Sequence, residues 1–153
     1  MRIRLARDED YAAIARLHRQ TIRNINSKDY SEEIIYLWSG RTNAQRFRSS
    51  SNKCKRWVAI DKDKIVGFCD HNFECELWGL YIDKDYLGKG VGSKLLKVAE
   101  DSMRKEGCKE IMLKSTITAK DFYEKNGYKI IKKTMHKIGD KKLQIYVMSK
   151  KLN

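Results

Sequence analysis

Three glycines, Gly88, Gly90 and Gly92, stand at alternate positions between an apolar run, Leu80-Tyr81-Ile82, and an amphipathic run beginning at Val91. Glycine lets a backbone curl so that successive N–H groups point into one cavity, and it lets a ligand approach closely. Where such a turn opens a helix, the unpaired amides and the positive end of the helix dipole favour a phosphate or pyrophosphate. Lys89 adds a cation to the same turn. The pattern is not a dinucleotide fingerprint, because Ser93 stands where G-x-G-x-x-G needs its last glycine after Gly88 and Gly90. A G-x-x-x-x-G-K-[S/T] phosphate loop is also absent. Taken alone, the turn fits an anion nest or an ordinary tight strand-to-helix connection.

Other reactive side chains form no pattern of their own. Cys54, Cys69, Cys75 and Cys108 contain no C-x-x-C pair and have no histidine at metal-ligand spacing, so no metal site is expected. They read as buried free thiols rather than a disulfide framework. His18, His71 and His136 are scattered, and no Ser-His-Asp or Cys-His constellation stands out.

The elements that must position the glycine turn alternate between the two periodicities. Ile3 to Leu5 is a short strand candidate. Acidic residues at Asp8-Glu9-Asp10 then favour a helix start, and Ile14, Leu17, Thr21 and Ile25 recur at helical spacing over Tyr11 to Asn24. Ser31 can cap a second helix through Ile34, Ile35 and Trp38, ending near Gly40. Arg41 to Lys55 is polar and reads as loop with at most a helical turn. Arg56 to Ile60 and Ile65 to Asn72 read as a hairpin across Asp61-Lys62-Asp63-Lys64. Alternation in the next strand, Glu74 to Ile82, fails at Trp78-Gly79-Leu80, which is compatible with a β-bulge. After the glycine turn come a helix closed by Gly107, a strand from Glu110 to Ser115, and a short helix from Ala119 to Lys125 closed by Gly127. Tyr128 to Ile138 and Leu143 to Met148 form a last hairpin across Gly139-Asp140. The order implies an α/β layered domain around a mixed sheet, occupying residues 1–153 as one unit.

The 153 residues carry 33 lysines and arginines against 20 acids, a net charge of +13. That invites a nucleic-acid reading, but the basic residues are spread over the whole chain, with no dense block and no helix-turn-helix, zinc-finger or RNA-binding signature. A basic surface equally steers a polyanionic ligand. No apolar run is long enough to span a bilayer, and the first residues lack a signal peptide's apolar core, so a cytoplasmic protein without membrane contact is expected.

The segment Leu80-Tyr81-Ile82-Asp83 with Gly90-Val91-Gly92, followed later by Ala119-Lys120-Asp121-Phe122-Tyr123-Glu124-Lys125-Asn126-Gly127-Tyr128, resembles two motifs of the GNAT N-acetyltransferase superfamily. These are a strand-end "L-Y-V-x" leading to [Q/R]-x-x-G-x-[G/A], and "A-x-x-F-Y-E-K-x-G-F/Y". The resemblance extends from Ile3 to about Met148, and Tyr30-Ser31 through Trp38 with Thr116 to Ala119 is similar to a subgroup of small bacterial members. It implies a strongly twisted mixed sheet of about six to seven strands and four helices, with two central parallel strands splayed around acetyl-CoA. The family's pattern would place the pantetheine arm on the backbone of Leu80, Tyr81 and Ile82, and the pyrophosphate on Leu87, Gly88, Lys89, Gly90, Val91, Gly92 and Ser93. Thr116 and Ala119 would flank the arm. Leu87 departs from the usual Gln or Arg, and Thr116 from a frequent Asn.

The same resemblance implies an acetyl-CoA-dependent N-acetyltransferase acting on an amine of a small molecule or polypeptide, by direct attack in a ternary complex and without a metal. Tyr123 would protonate the departing thiolate. Glu76, or Glu74 in its place, would act as general base. Tyr30, Tyr36, Trp38 and Trp78 would line the acceptor pocket, with Glu32 or Glu33 holding a cationic acceptor. A homodimer is compatible with this reading, and no specific nucleic acid is expected. The rival readings are a non-catalytic acyl-CoA sensor, which would not need Glu76 or Tyr123, and a basic nucleic-acid-binding module.

Overall fold

Two amphipathic helices cover opposite faces of one sheet. The computed structural model describes residues 1–153. The strands are β1 (Arg2–Leu5), β2 (Lys55–Asp61), β3 (Lys64–His71), β4 (Glu76–Ile82), β5 (Glu110–Thr116), β6 (Lys129–Ile138) and β7 (Lys141–Lys151). The helices are α1 (Tyr11–Asn24), α2 (Glu32–Gly40), α3 (Ala44–Ser49), α4 (Val91–Lys105) and α5 (Lys120–Lys125). The strands lie in the order β1-β2-β3-β4-β5-β7-β6, antiparallel except for the parallel pair β4–β5. The fold is therefore the expected mixed α/β sheet.

On one face, Tyr11, Ile14 and Leu17 of α1 are buried against Val58, Ile60 and Phe68. On the other, Leu95, Leu96, Ala99 and Met103 of α4 are buried against Ala59, Val66, Cys69 and Leu77. The central strands β2 and β3 are covered on both sides and so read as apolar runs rather than alternating ones. A smaller cluster, Ile138, Leu143 and Ile145, seats α2 through Ile34, Leu37 and Trp38 on the β6–β7 hairpin. At the β2–β3 turn Lys62 and Asp63 have φ of 51° and 64°, the left-handed geometry that two-residue hairpin turns require.

Two sequence expectations are corrected here. Ala44–Ser49 is a fifth helix rather than loop, started by Asn43, whose side chain accepts from the Arg46 amide at 2.8 Å. Cys75 and Cys108 are joined by a disulfide instead of being free thiols, whereas Cys54 and Cys69 are free and buried as expected. Cys75 closes the turn into β4 and Cys108 the turn into β5. These parallel strands begin side by side, with Glu76 opposite Met112 and Leu77 opposite Leu113, so residues 33 apart in sequence become neighbours.

Candidate active site

The pairing of β4 with β5 stops after Leu77 and Leu113. Both strands run on, to Ile82 and Thr116, without a partner between them. On the other side of β4, Asp70 pairs with Gly79 and His71 with Leu77, leaving Trp78 as an extra residue in a bulge. A bulge bends its strand and strengthens the twist, which turns the second half of β4 away from β5 and opens a cleft. That cleft is lined by Leu80, Ile82 and Tyr123, together with Leu87 and Gly92 from the glycine turn.

In the turn, Gly88 and Gly90 have φ of 74° and 81°. A Cβ would meet nothing within 4 Å at either, so backbone conformation, not space, selects glycine there. Gly90 is the N-cap of α4, and its carbonyl accepts from the Lys94 amide at 3.1 Å. The first amides of α4 have no acceptor within the helix, and no acidic residue stands in its first turn. Gly92 is small for a different reason, because a Cβ there would lie 3.2 Å from the Phe122 ring. The cradle suits a phosphorylated ligand: the first amides of α4 are left without helical acceptors, its first turn holds no acid, and Lys89 stands in the turn, 5.3 Å from the centre of the Tyr86 ring.

A second cavity, about 410 Å³, lies across the bulge between α1, α2, α3 and the β6–β7 hairpin. Trp78, Gly79, Tyr81, Lys114 and Thr116 line both spaces, so the two meet at the bulge. The only carboxylate on this cavity is Asp70, whose Oδ2 accepts from Arg56 Nε at 2.8 Å, with both residues buried. Burial pushes the Asp70 carboxyl up, while the Arg56 guanidinium opposes that shift. His18 stands edge-on to the Tyr81 ring, 4.4 Å between centroids, and its Nδ1 is 2.7 Å from Thr42 Oγ1. Desolvation, followed by the cations Arg46, Arg19 and Arg56, lowers its pKa to about 3, so the ring is neutral.

Residues 13–128 match the family model described as the acetyltransferase (GNAT) family. This chain belongs to the GNAT family. An uncharacterized N-acetyltransferase of Escherichia coli K12, YafP, is 28% identical over 86% of this chain and 83% of its own. The spermidine N(1)-acetyltransferase of Thermoplasma acidophilum is 27% identical over 80% and 84%. Among solved structures, a GCN5-related N-acetyltransferase from Rhodopseudomonas palustris has the same fold, with a TM-score of 0.94 at 24% identity, covering 99% of this chain and 95% of that one. The Thermoplasma acidophilum PaiA N-acetyltransferase, solved with coenzyme A, gives 0.80 at 26% identity, covering 99% of this chain and all of that one.

Within this GNAT frame the expected residues separate. Leu80, Tyr81, Ile82, Leu87, Gly92, Thr116, Ala119 and Tyr123 line the first cleft, and Trp38 and Trp78 reach the second cavity. Thr116 Oγ1 accepts from the Ala119 amide at 3.1 Å, which shapes the start of α5. Tyr123 is 4% exposed and packs edge-on against Phe122 and Tyr128. Tyr30 lines neither space: its hydroxyl donates to Gln144 O at 2.6 Å and accepts from Ile117 N at 2.9 Å, tying β7 to the end of β5. Tyr36 is 79% exposed, and Glu33 pairs with Lys141 at 2.8 Å on the outer surface. Glu76 also lines neither space. Asn72 Nδ2 donates to its Oε1 at 3.2 Å, at the closed end of the β4–β5 pair, and Glu74 is exposed in the same turn.

Sequence reasoning missed Asp70, His18, Arg41, Arg46 and Lys114 on the second cavity. A capping Asn43 ahead of Ala44-Gln45-Arg46-Phe47 was the available signal for the helix that carries Arg46 and Phe47 to the cavity.

Proposed function

We propose that this protein transfers the acetyl group of acetyl-CoA to an amine by direct attack within a ternary complex. The observation that carries this reading is the meeting of the two spaces at Trp78, Gly79 and Tyr81, which leaves donor and acceptor a common boundary. Acetyl-CoA supplies an acetyl thioester. The amides of Val91, Gly92 and Ser93 hold its pyrophosphate, with Lys89 alongside, and the β5-facing edge of β4 from Leu80 to Ile82, which has no partner strand on that side, binds the pantetheine amides as an added strand would.

No cysteine lines either space, and Cys69 is wholly buried with its thiol pushed well above the usual range, which favours direct attack over a covalent enzyme intermediate. Desolvation likewise holds the Tyr123 phenol well above its ordinary pKa, so it remains a proton donor. It delivers that proton to the departing sulfur. Asp70, opposite Gly79 on the acceptor side, receives the amine's proton directly or through water, in place of Glu76.

Thiol release with acetyl-CoA and a panel of amines, with both substrates varied, tests the proposal. Intersecting double-reciprocal lines are expected. Parallel lines would indicate a covalent acetyl-enzyme and overturn direct attack.

A further inference from the structure

The acceptor cavity carries an excess of cations. Arg41, Arg46, Arg56 and Lys114 line it against one carboxylate, Asp70. Arg56 is committed: besides pairing with Asp70, it donates to Phe47 O at 3.1 Å and Ser50 Oγ at 3.3 Å. No carboxylate lies within 4.0 Å of Arg41, Arg46 or Lys114, although ion pairs elsewhere on the surface are frequent. Three cations therefore face the cavity without a partner of opposite sign. Arg41 and Arg46 line this cavity alone, apart from the turn Leu87–Ser93, whereas Lys114 also lines the first cleft.

The two arginines are also held at their bases. Between them, Thr42 is buried, its carbonyl accepting from Arg19 Nη2 at 2.6 Å and its hydroxyl meeting His18 Nδ1 at 2.7 Å. Asn43 then caps the helix through the Arg46 amide. The α2–α3 connection is thus pinned to α1, and both guanidiniums start from a fixed backbone beside the cavity. A guanidinium fork so placed suits a carboxylate, which it can bind through two parallel hydrogen bonds. A polycation would instead meet an excess of cations, four basic side chains against one carboxylate.

We propose that the acceptor is an amine that also bears a carboxylate, an amino acid or a short acidic peptide, with the carboxylate read by Arg41 and Arg46 and the amine turned toward Gly79. This rests on the acetyltransfer reading above and narrows its substrate. A carboxylate at one end and an amine at the other match the charge order of the cavity, from the free arginines to Asp70.

The test compares acceptors that differ only in the carboxylate: L-phenylalanine with phenethylamine, L-lysine with cadaverine, and the peptide Asp-Ala-Ala with its C-terminally and side-chain amidated form, with spermidine as the polycation. The carboxylated member of each pair is expected to show the higher kcat/KM. Arg41→Gln and Arg46→Gln should each cut the preference for the acid over its partner by about 10- to 100-fold, the scale of one or two charge-assisted hydrogen bonds. Lys141→Gln, whose side chain pairs with Glu33 outside both spaces, should keep that preference. Equal rates within the pairs, or spermidine as the best acceptor, would overturn the proposal and leave the acetyltransfer reading intact. Acetyl-CoA binding without acetylation of any carboxylated amine would also count against it, whereas absent acetyl-CoA binding would strike the broader reading.

Discussion

Asp70 and Gly79 face each other across β3 and β4 at the last paired position before the bulge, with Asp70 Oδ1 3.5 Å from where a Cβ on Gly79 would lie. The same Cβ would lie 2.9 Å from the Tyr81 ring, closer than real contacts allow. Gly79 is therefore small because the Tyr81 ring lies against it, while Asp70 stands at ordinary contact distance. Gly79→Ala should push the Tyr81 ring from the boundary between the two spaces. The expected result is a stability loss of about 1–3 kcal/mol, typical of overpacking, with a larger fall in kcat/KM than in acetyl-CoA affinity. Denaturant unfolding and steady-state kinetics check this. Unchanged kinetics would mean the boundary is not where transfer occurs.

Tyr123→Phe keeps the ring and its contacts with Phe122 and Tyr128 and deletes only the hydroxyl. If the phenol protonates the thiolate, kcat should fall about 10²- to 10⁴-fold with little change in coenzyme A affinity. Glu76→Gln should by contrast cost little activity, since its carboxylate serves the Asn72 turn. A wild-type rate in Tyr123→Phe would show that water or another group meets the sulfur.

His18 makes stability sensitive to acid. Its pKa is about 3 in the fold, lowered first by burial, against about 6.5 in an unfolded chain. Between these values the unfolded state binds more protons, so stability is fully present above about pH 6.5 and falls as pH drops toward 3. His18→Gln should flatten melting temperature against pH over that window. The same slope in the variant would place the acid sensitivity elsewhere.

Much of this was legible before the structure. The hairpins, the helix capped by Ser31 and the bulge at Trp78 are local features, written in glycine positions, period changes and a cap, and the structure has them. What was not legible depends on strand order. Cys75 and Cys108 approach because β4 and β5 begin in parallel, and no spacing rule encodes that. Position along a strand and strand order also separate Glu76 from Asp70: four residues of strand lie between Glu76 and Leu80, about 13 Å at 3.3 Å per residue, while Asp70 reaches the bulge from the neighbouring strand. Tyr30 was expected in the acceptor pocket on its type and position, but its hydroxyl is satisfied at both lone pair and proton by backbone brought from β7 and the end of β5. The cationic lining of the second cavity gathers Arg41 from the α2–α3 connection, Arg46 from α3, Arg56 from β2 and Lys114 from β5, which in sequence look like evenly scattered charge.

Acetyl-CoA binding at the glycine turn is the claim on which transfer, the phenol and the acceptor all depend. Melting of the protein across an acetyl-CoA titration tests it. At about 100 times the dissociation constant, bound ligand should add about 2.7 kcal/mol, worth a rise of roughly 5–10 °C for a chain of this size. In Gly90→Glu, whose side chain sets a carboxylate beside the amides of α4, that rise should nearly vanish. The variant's own ligand-free melting point, lowered by the left-handed φ of 81°, is the reference. A wild-type melting temperature that does not move with acetyl-CoA would contradict the account.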